Sequence, residues 1–180
     1  MDIHKKYLIL DEERNAIDYL NRAVEFLEKI DIDFVYLKWF TIAFHGAVYS
    51  FVLLVLQEIH SDQIYQDKKT SSHPLERELI SFKAAYELLK TNESTMDDPY
   101  NPTGDQDICV KEINDQIRNQ MMHFRPTVWA SEPWYFARAS YPLLDVLKFC
   151  IDKYRFKDLG KEVALRNLAK IEKILARHIK

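Results

Sequence analysis

The stretch WFTIAFHGAVYSFVLLVLQ, Trp39 to Gln57, contains no Asp, Glu, Lys or Arg. By length it borders on a membrane span. Lys38 and Glu58 flank it closely, and Thr41, His45, Tyr49 and Ser50 punctuate it. The other segments of the chain are amphipathic. A helix apolar on nearly all sides, among such neighbours, reads as the central buried helix of a bundle, expected from about Phe34 to Ile59. The membrane span is the competing reading. The bundle reading is preferred, and no membrane partner is expected.

Working outward, Ala16, Ile17, Leu20, Ala23, Val24, Leu27 and Ile30 recur at spacings of three and four, which predicts a helix over Asp11 to Ile30. Glu12, Glu13, Asp18, Glu25 and Glu28 are expected off its apolar face. Asp33 is placed to cap the next helix. Downstream, the polar run HSDQIYQDKKTSSHP over 60–74 reads as a loop. Pro74 suits the first turn of a third helix, Leu75 to Lys90, with Leu79, Phe82, Ala85, Tyr86 and Leu89 as its face. After the turn-rich 91–105, Val110, Ile113, Ile117 and Met121 mark a fourth helix over Gln106 to His123. Phe124-Arg125-Pro126 ends it, since a residue before proline disfavours the α region. Thr127 to Pro133 reads as a short loop. Pro142 either kinks the following helix or begins its main part, which continues from Leu143 to Tyr154. The last helix, Leu159 to Ile179, carries Val163, Leu165, Leu168, Ile171 and Leu175.

The fold class is therefore all-α: one helical bundle of about five to six helices, in a single domain over 1–180. Composition agrees. The 180 residues are 47% apolar and 13% aromatic, enough to build a core. Only 3 Gly are present, with no GxGxxG or GxxxxGK[ST], which disfavours sandwiches, barrels and phosphate-binding glycine loops. Cys109 and Cys150 stand in no CxxC or Cys/His cluster, so no metal site is written and the thiols fit a reducing compartment. The first fifteen residues hold only a four-residue apolar run, short of a secretory signal. A cytoplasmic protein is expected. Charge is split: residues 1–33 hold 5 Lys/Arg against 9 Asp/Glu, and residues 155–180 hold 8 against 3.

One string carries chemistry: Ile117-Arg118-Asn119-Gln120-Met121-Met122-His123-Phe124. Asn119 and His123, four apart, share a helix face. Arg118 lies about 140° from His123 around a regular helix, within reach of the same cleft for a long side chain. Cleaving a phosphodiester by a neighbouring 2′-hydroxyl needs a proton carrier near neutrality and a cation over the phosphate. Histidine suits the first task and arginine the second. A helix C-terminus also favours protonated histidine. The competing reading is structural: His123 caps the last carbonyls and Arg118 pairs with Glu112 or Asp115.

Arg118-Asn119-x-x-x-His123 resembles the R-x4–6-H motif of HEPN domains, which are small all-α bundles with the motif on a late helix. The string RNQMMHFRPTVWASE is similar to the RN-x-x-x-HF-x-P-x-x-W-x-x-E pattern of a bacterial HEPN-like group. Lys38-Trp39 through Ala43-x-His45-x-Ala47 also resembles that group. The likeness spans roughly residues 14 to 150. It implies a metal-independent endoribonuclease without cofactor, working as a homodimer whose two motifs face one composite cleft. Arg118 and His123 would carry catalysis, with Asn119 orienting or contacting phosphate. Many such proteins are toxins or antiviral defence effectors, so an antitoxin or regulatory partner is implied as well. The position two past His123 is Arg125, where toxins paired with nucleotidyltransferases often have tyrosine, so tyrosine modification is not expected here.

Further candidates each have two readings. Arg125 adds a phosphate contact or is solvated surface. Trp129 and Trp134 stack bases or close a core or dimer seam. His45 lines the cleft or is a hydrogen-bonded core histidine. Glu25 and Glu28 are cleft acids or a solvated helix face. The basic last helix draws RNA or is mixed-charge surface. A second class of function is also open: a non-catalytic helical interaction module that keeps the string for structure.

Overall fold

The computed structural model describes residues 11–59, 61–66, 77–91, 98–122, 130 and 132–178. Among them the chain forms α1 (Glu12–Leu27), α2 (Tyr36–Ile59), α3 (Phe82–Leu89) and α4 (Gly104–Glu112). A π-helical segment, Ile113–Arg118, then leads into the short α5 (Asn119–Met122), followed by α6 (Pro133–Lys153) and α7 (Gly160–Leu175). The described residues hold no strand, only an isolated antiparallel bridge between Tyr65 and Leu79. With α4, the π segment and α5 taken as one continuous run, six helical segments form the bundle.

The uncharged helix sits where its composition demands. α2 packs against α1, α3, α6 and the π segment. Phe40, Phe44, Ala47, Val48, Phe51, Val52 and Leu56 are all fully buried. It is long and apolar enough to cross a membrane, and two-thirds of its most apolar window lies buried inside the bundle. Asp33 receives the Val35 amide at 2.9 Å just before α2 begins. The buried apolar side chains of all the long helices join in one core.

α1 starts at an Asp11 cap, whose carboxylate accepts the Arg14 amide at 2.8 Å. Its buried face holds the expected Ala16, Leu20, Ala23, Val24 and Leu27. It also holds Glu13, which the sequence placed off that face. Only 7% of Glu13 is exposed. Its carboxylate accepts the Tyr154 hydroxyl at 3.1 Å and the Lys157 amide at 3.2 Å. A buried carboxylate needs such donors, and periodicity does not report them. Gly160 opens α7 beside it, where a Cβ would lie 2.6 Å from Glu13 Oε1. α7 runs in the same direction as α1, with Asn167 Nδ2 on Asn21 Oδ1 at 2.6 Å and Lys170 on Glu28 at 3.5 Å.

Several boundaries and a further face differ from the sequence reading; α1, for one, ends at Leu27 and not Ile30. The third helix begins at Phe82, not Leu75, because Ser81 caps it and residues 78–80 run extended against 64–66. Leu79 is therefore exposed at 44% and not on the helix face. Pro74 lies outside the described residues. The fourth helix starts two residues early, at Gly104, where Thr103 and Gln106 form a reciprocal capping box. The fifth segment, α6, starts at Pro133 and runs through Pro142 without ending. In α7, Ala164 and Asn167 take the buried face with Leu168, Ile171 and Leu175. Leu165 is 38% exposed and Val163 half-buried. A helix face is a fixed stripe of directions, and Leu165 falls off it.

Candidate functional site

A cleft of about 1030 Å³ opens between α1, α2, the strand-like 78–80, and the π segment with α5. Arg118, Asn119, His45, Asn114 and Asp115 all line it. Of the five residues singled out from the sequence, Arg118 and Asn119 are brought together here. His123, Arg125 and Trp129 lie outside the described residues. Glu25 and Glu28 do not belong to the cleft: both are exposed, and they pair with Arg22 and Lys170. Trp134 is 44% exposed and its indole N–H bonds Glu132.

The π segment explains how three polar side chains reach one cleft. In a π helix the N–H of residue i+5 bonds the carbonyl of residue i, so residues five apart come nearly into register. Asn114 and Asn119 would stand about 140° apart on a regular α-helix. The widened turn brings them to one side, with Arg118 beside Asn119. Meanwhile Ile113 and Ile117 keep their core positions, each 1% exposed. Such single wide turns occur often at functional sites.

Arg118 is half-buried, and its Nη1 donates to Asn119 Oδ1 at 2.8 Å. The Asn119 amide in turn donates to the Asp115 carbonyl at 3.3 Å. Neither expected acid takes the guanidinium. Asp115 receives the Asn114 amide at 2.6 Å, and Glu112 receives the Tyr135 hydroxyl. Among the described residues no carboxylate pairs with Arg118. A half-buried cation held in place by a neutral amide retains most of its field for an incoming anion.

His45 meets both of its readings. It is 6% exposed, lines the cleft, and its Nε2 lies 3.1 Å from Asn114 Oδ1. Because the Asn114 amide nitrogen already donates to Asp115, its oxygen is the acceptor and Nε2 carries the proton. Burial lowers the His45 pKa to about 4, the Asn114 bond opposes that, and the charge of Arg118 lowers it further. The ring is thus neutral near pH 7, and Phe82 packs on it with centroids 4.6 Å apart. Tyr49, one turn on, donates its hydroxyl to the Ile80 carbonyl and ties α2 to the extended segment.

Sequence reasoning missed Asn114 and Tyr19 as cleft residues. Nothing in the sequence marks the π turn that aims Asn114. Tyr19 had a usable signal in Gly46, since a glycine in the middle of a helical pattern costs stability and calls for a packing reason. Among the described residues no three His, Cys, Asp or Glu side chains gather as metal ligands. Cys109 is half-buried and Cys150 buried, both as free thiols. Comparison with family models, curated proteins and solved structures gives no match.

Proposed function

We propose that the chain is a metal-independent endoribonuclease of the HEPN type, centred on Arg118 and His123. The observation that carries this reading is Arg118: a half-buried guanidinium on a cleft, oriented by Asn119, with no carboxylate partner among the described residues. A structural arginine at that depth is ordinarily paired. In the proposed reaction a ribose 2′-hydroxyl loses its proton and attacks the adjacent phosphorus. The bond to the 5′-oxygen of the next nucleotide breaks, and that oxygen takes up a proton. The products are a 2′,3′-cyclic phosphate and a 5′-hydroxyl. His123 moves the proton, Arg118 lies over the phosphate as charge builds, and Asn119 fixes the guanidinium. Arg125 and Trp129 are proposed to contact the RNA beyond the cut.

Two copies of the chain would pair with both motifs facing one cleft, each supplying one arginine and one histidine. A toxin or defence effector held in check by a partner is the biological setting proposed. A cytoplasmic setting, where lone thiols such as Cys109 and Cys150 stay reduced, is part of the proposal. The test is cleavage of structured and unstructured RNA with EDTA present, by the parent and by His123→Ala. Cutting by the parent alone, leaving cyclic phosphate ends, supports the reading. Equal cutting by a folded His123→Ala overturns it.

The interaction-module reading has its own observation. Ile32, Phe34, Val35 and Trp39 are 80%, 61%, 50% and 45% exposed around the α1–α2 turn. Contiguous exposed apolar surface of this kind marks contact sites. Silence of both proteins in the cleavage assay, with a dimer lost in Phe34→Ser, would favour that reading.

A further inference from the structure

Gly46 stands in the middle of α2, where glycine is the least favourable residue short of proline. A Cβ at Gly46 would lie 2.8 Å from Tyr19 Cδ1, 2.9 Å from Cε1 and 3.2 Å from Cγ. Any side chain there collides with the ring. A glycine that admits a core side chain needs no further account, but Tyr19 is not one. It is 39% exposed and lines the same cleft as His45 and Arg118. α2 thus gives up a side chain to seat an aromatic ring that remains accessible in the cleft.

The cleft is not uniformly basic. Glu12 and Asp115 line it together with Arg77, Lys83 and Arg118. With two carboxylates among three basic side chains the attraction for a polyanion is reduced, and a second, neutral source would add to the affinity. An aromatic ring fixed against a helix supplies one, because every base has a π-face and the ring has little rotamer freedom to lose.

We propose that Tyr19, seated in the Gly46 notch, is a stacking platform for an unpaired RNA base beside the phosphate held by Arg118. This rests on the ribonuclease reading and narrows its substrate to single-stranded RNA. A base inside a duplex hides both faces, whereas a base in a loop or end offers one. Stacking is tolerant of sequence, so little base preference is expected at this position. Because part of the affinity is uncharged, binding should fall gently with salt.

The test is fluorescence anisotropy with a short single-stranded RNA whose 2′-hydroxyls are methylated, so that binding is read without cleavage. Tyr19→Leu keeps apolar cover over Gly46 but removes the ring. It should weaken binding by roughly 5- to 150-fold, the range for one stacked base. Tyr19→Phe restores the ring and should restore binding. Gly46→Ala, which pushes the ring from its seat, should show the same loss as Tyr19→Leu while helical circular dichroism is retained. Tyr19→Leu binding within twofold of the parent, or duplex RNA binding as tightly as single strands, overturns the platform. Cleavage of unmethylated RNA by the parent and Arg118→Ala separates the two failures. Lost cleavage in Arg118→Ala with unchanged binding by Tyr19→Leu removes the platform and leaves the ribonuclease. A parent that neither binds nor cuts RNA removes both.

Discussion

The α2 wall of the cleft and the wall facing it, Gly104 to Met122, are both helical, yet they hold their side chains by different means. α2 is a regular helix fixed by burial on most sides, with Phe40, Phe44 and Phe51 fully enclosed. Its cleft residues, His45 and Tyr49, are held by that packing and by one hydrogen bond each. The opposite wall buries only Val110, Ile113 and Ile117 and leaves the α-helical pattern for one wide turn. Two of its contacts that shape the cleft are made within the wall, Asn114 to Asp115 and Arg118 to Asn119. One wall supplies rigidity and the other supplies the charged group. Stability and chemistry should therefore separate when each is mutated.

The largest expected effect is on the rigid wall. Phe51→Ala removes a fully enclosed ring that touches the Phe156 ring, centroids 6.0 Å apart. It should cost about 3–5 kcal/mol of unfolding free energy, read from urea denaturation. A loss below about 1 kcal/mol would mean that α2 is not the organising helix. On the facing wall, Arg118→Ala should do the reverse. RNA cleavage should fall about 10²- to 10³-fold, as for removal of one donor to a developing charge. The denaturation midpoint should barely move, because the described bond of Arg118 goes to its chain neighbour Asn119 and not to another helix. Arg118→Lys should not restore the rate, since a single ammonium cannot fork onto phosphate oxygens. A large stability loss in Arg118→Ala with unchanged cleavage would invert the assignment of the walls.

The same contrast explains what could be read in advance. α2 was legible because nineteen-odd residues without a charge can be stable only when enclosed, and its bounds fell within two residues of expectation. The motif was legible as residue types, and Arg118 and Asn119 do share the cleft. Its geometry was not legible. A π turn leaves the 110, 113, 117 spacing intact on the buried side and changes only which polar residues converge. The third helix was overextended because Leu79 fits an apolar row by number, whereas the Ser81 cap and the pairing of 78–80 with 64–66 decide where helix starts. Glu13 was misplaced because its burial depends on donors from Tyr154 and Lys157, more than a hundred residues away.

The next effect belongs to the contact between the walls. His45 is neutral in the fold with a pKa lowered to about 4, against an ordinary value of 6.5. The charged groups facing it are Arg118 and, through Asn114, Asp115; Tyr49 follows one turn on along α2. Between pH 6.5 and 4 the unfolded chain binds a proton at this residue and the native chain does not. Stability should therefore be fully present above about pH 6.5, fall as pH drops toward 4, and lose nothing more from this group below that. The difference amounts to roughly 3 kcal/mol across the window. Carboxylates titrate in the lower part of it, so the comparison is with His45→Gln, which keeps an N–H donor for Asn114 but cannot protonate. The parent should lose more stability than His45→Gln on going from pH 7 to pH 4.5. Parallel pH curves would show that the ring protonates in place, beside Arg118.

The smallest effect is the bond itself. His45 Nε2–H to Asn114 Oδ1 is the direct side-chain hydrogen bond joining the two walls among the described residues. A double-mutant cycle of His45→Phe and Asn114→Ala isolates it, since a phenyl ring fills similar space without a donor. Each single change leaves a partner unsatisfied, and the double change leaves neither. The coupling should be about 1 kcal/mol, the usual net value of one such bond. It should also be visible in activity, because Asn114 and Arg118 sit on the same wide turn and a loosened Asn114 loosens the guanidinium behind it. Coupling in stability without any in cleavage would place Arg118 under the control of Asn119 alone. Coupling in both would mean that the rigid wall sets the position of the charged one through a single neutral imidazole.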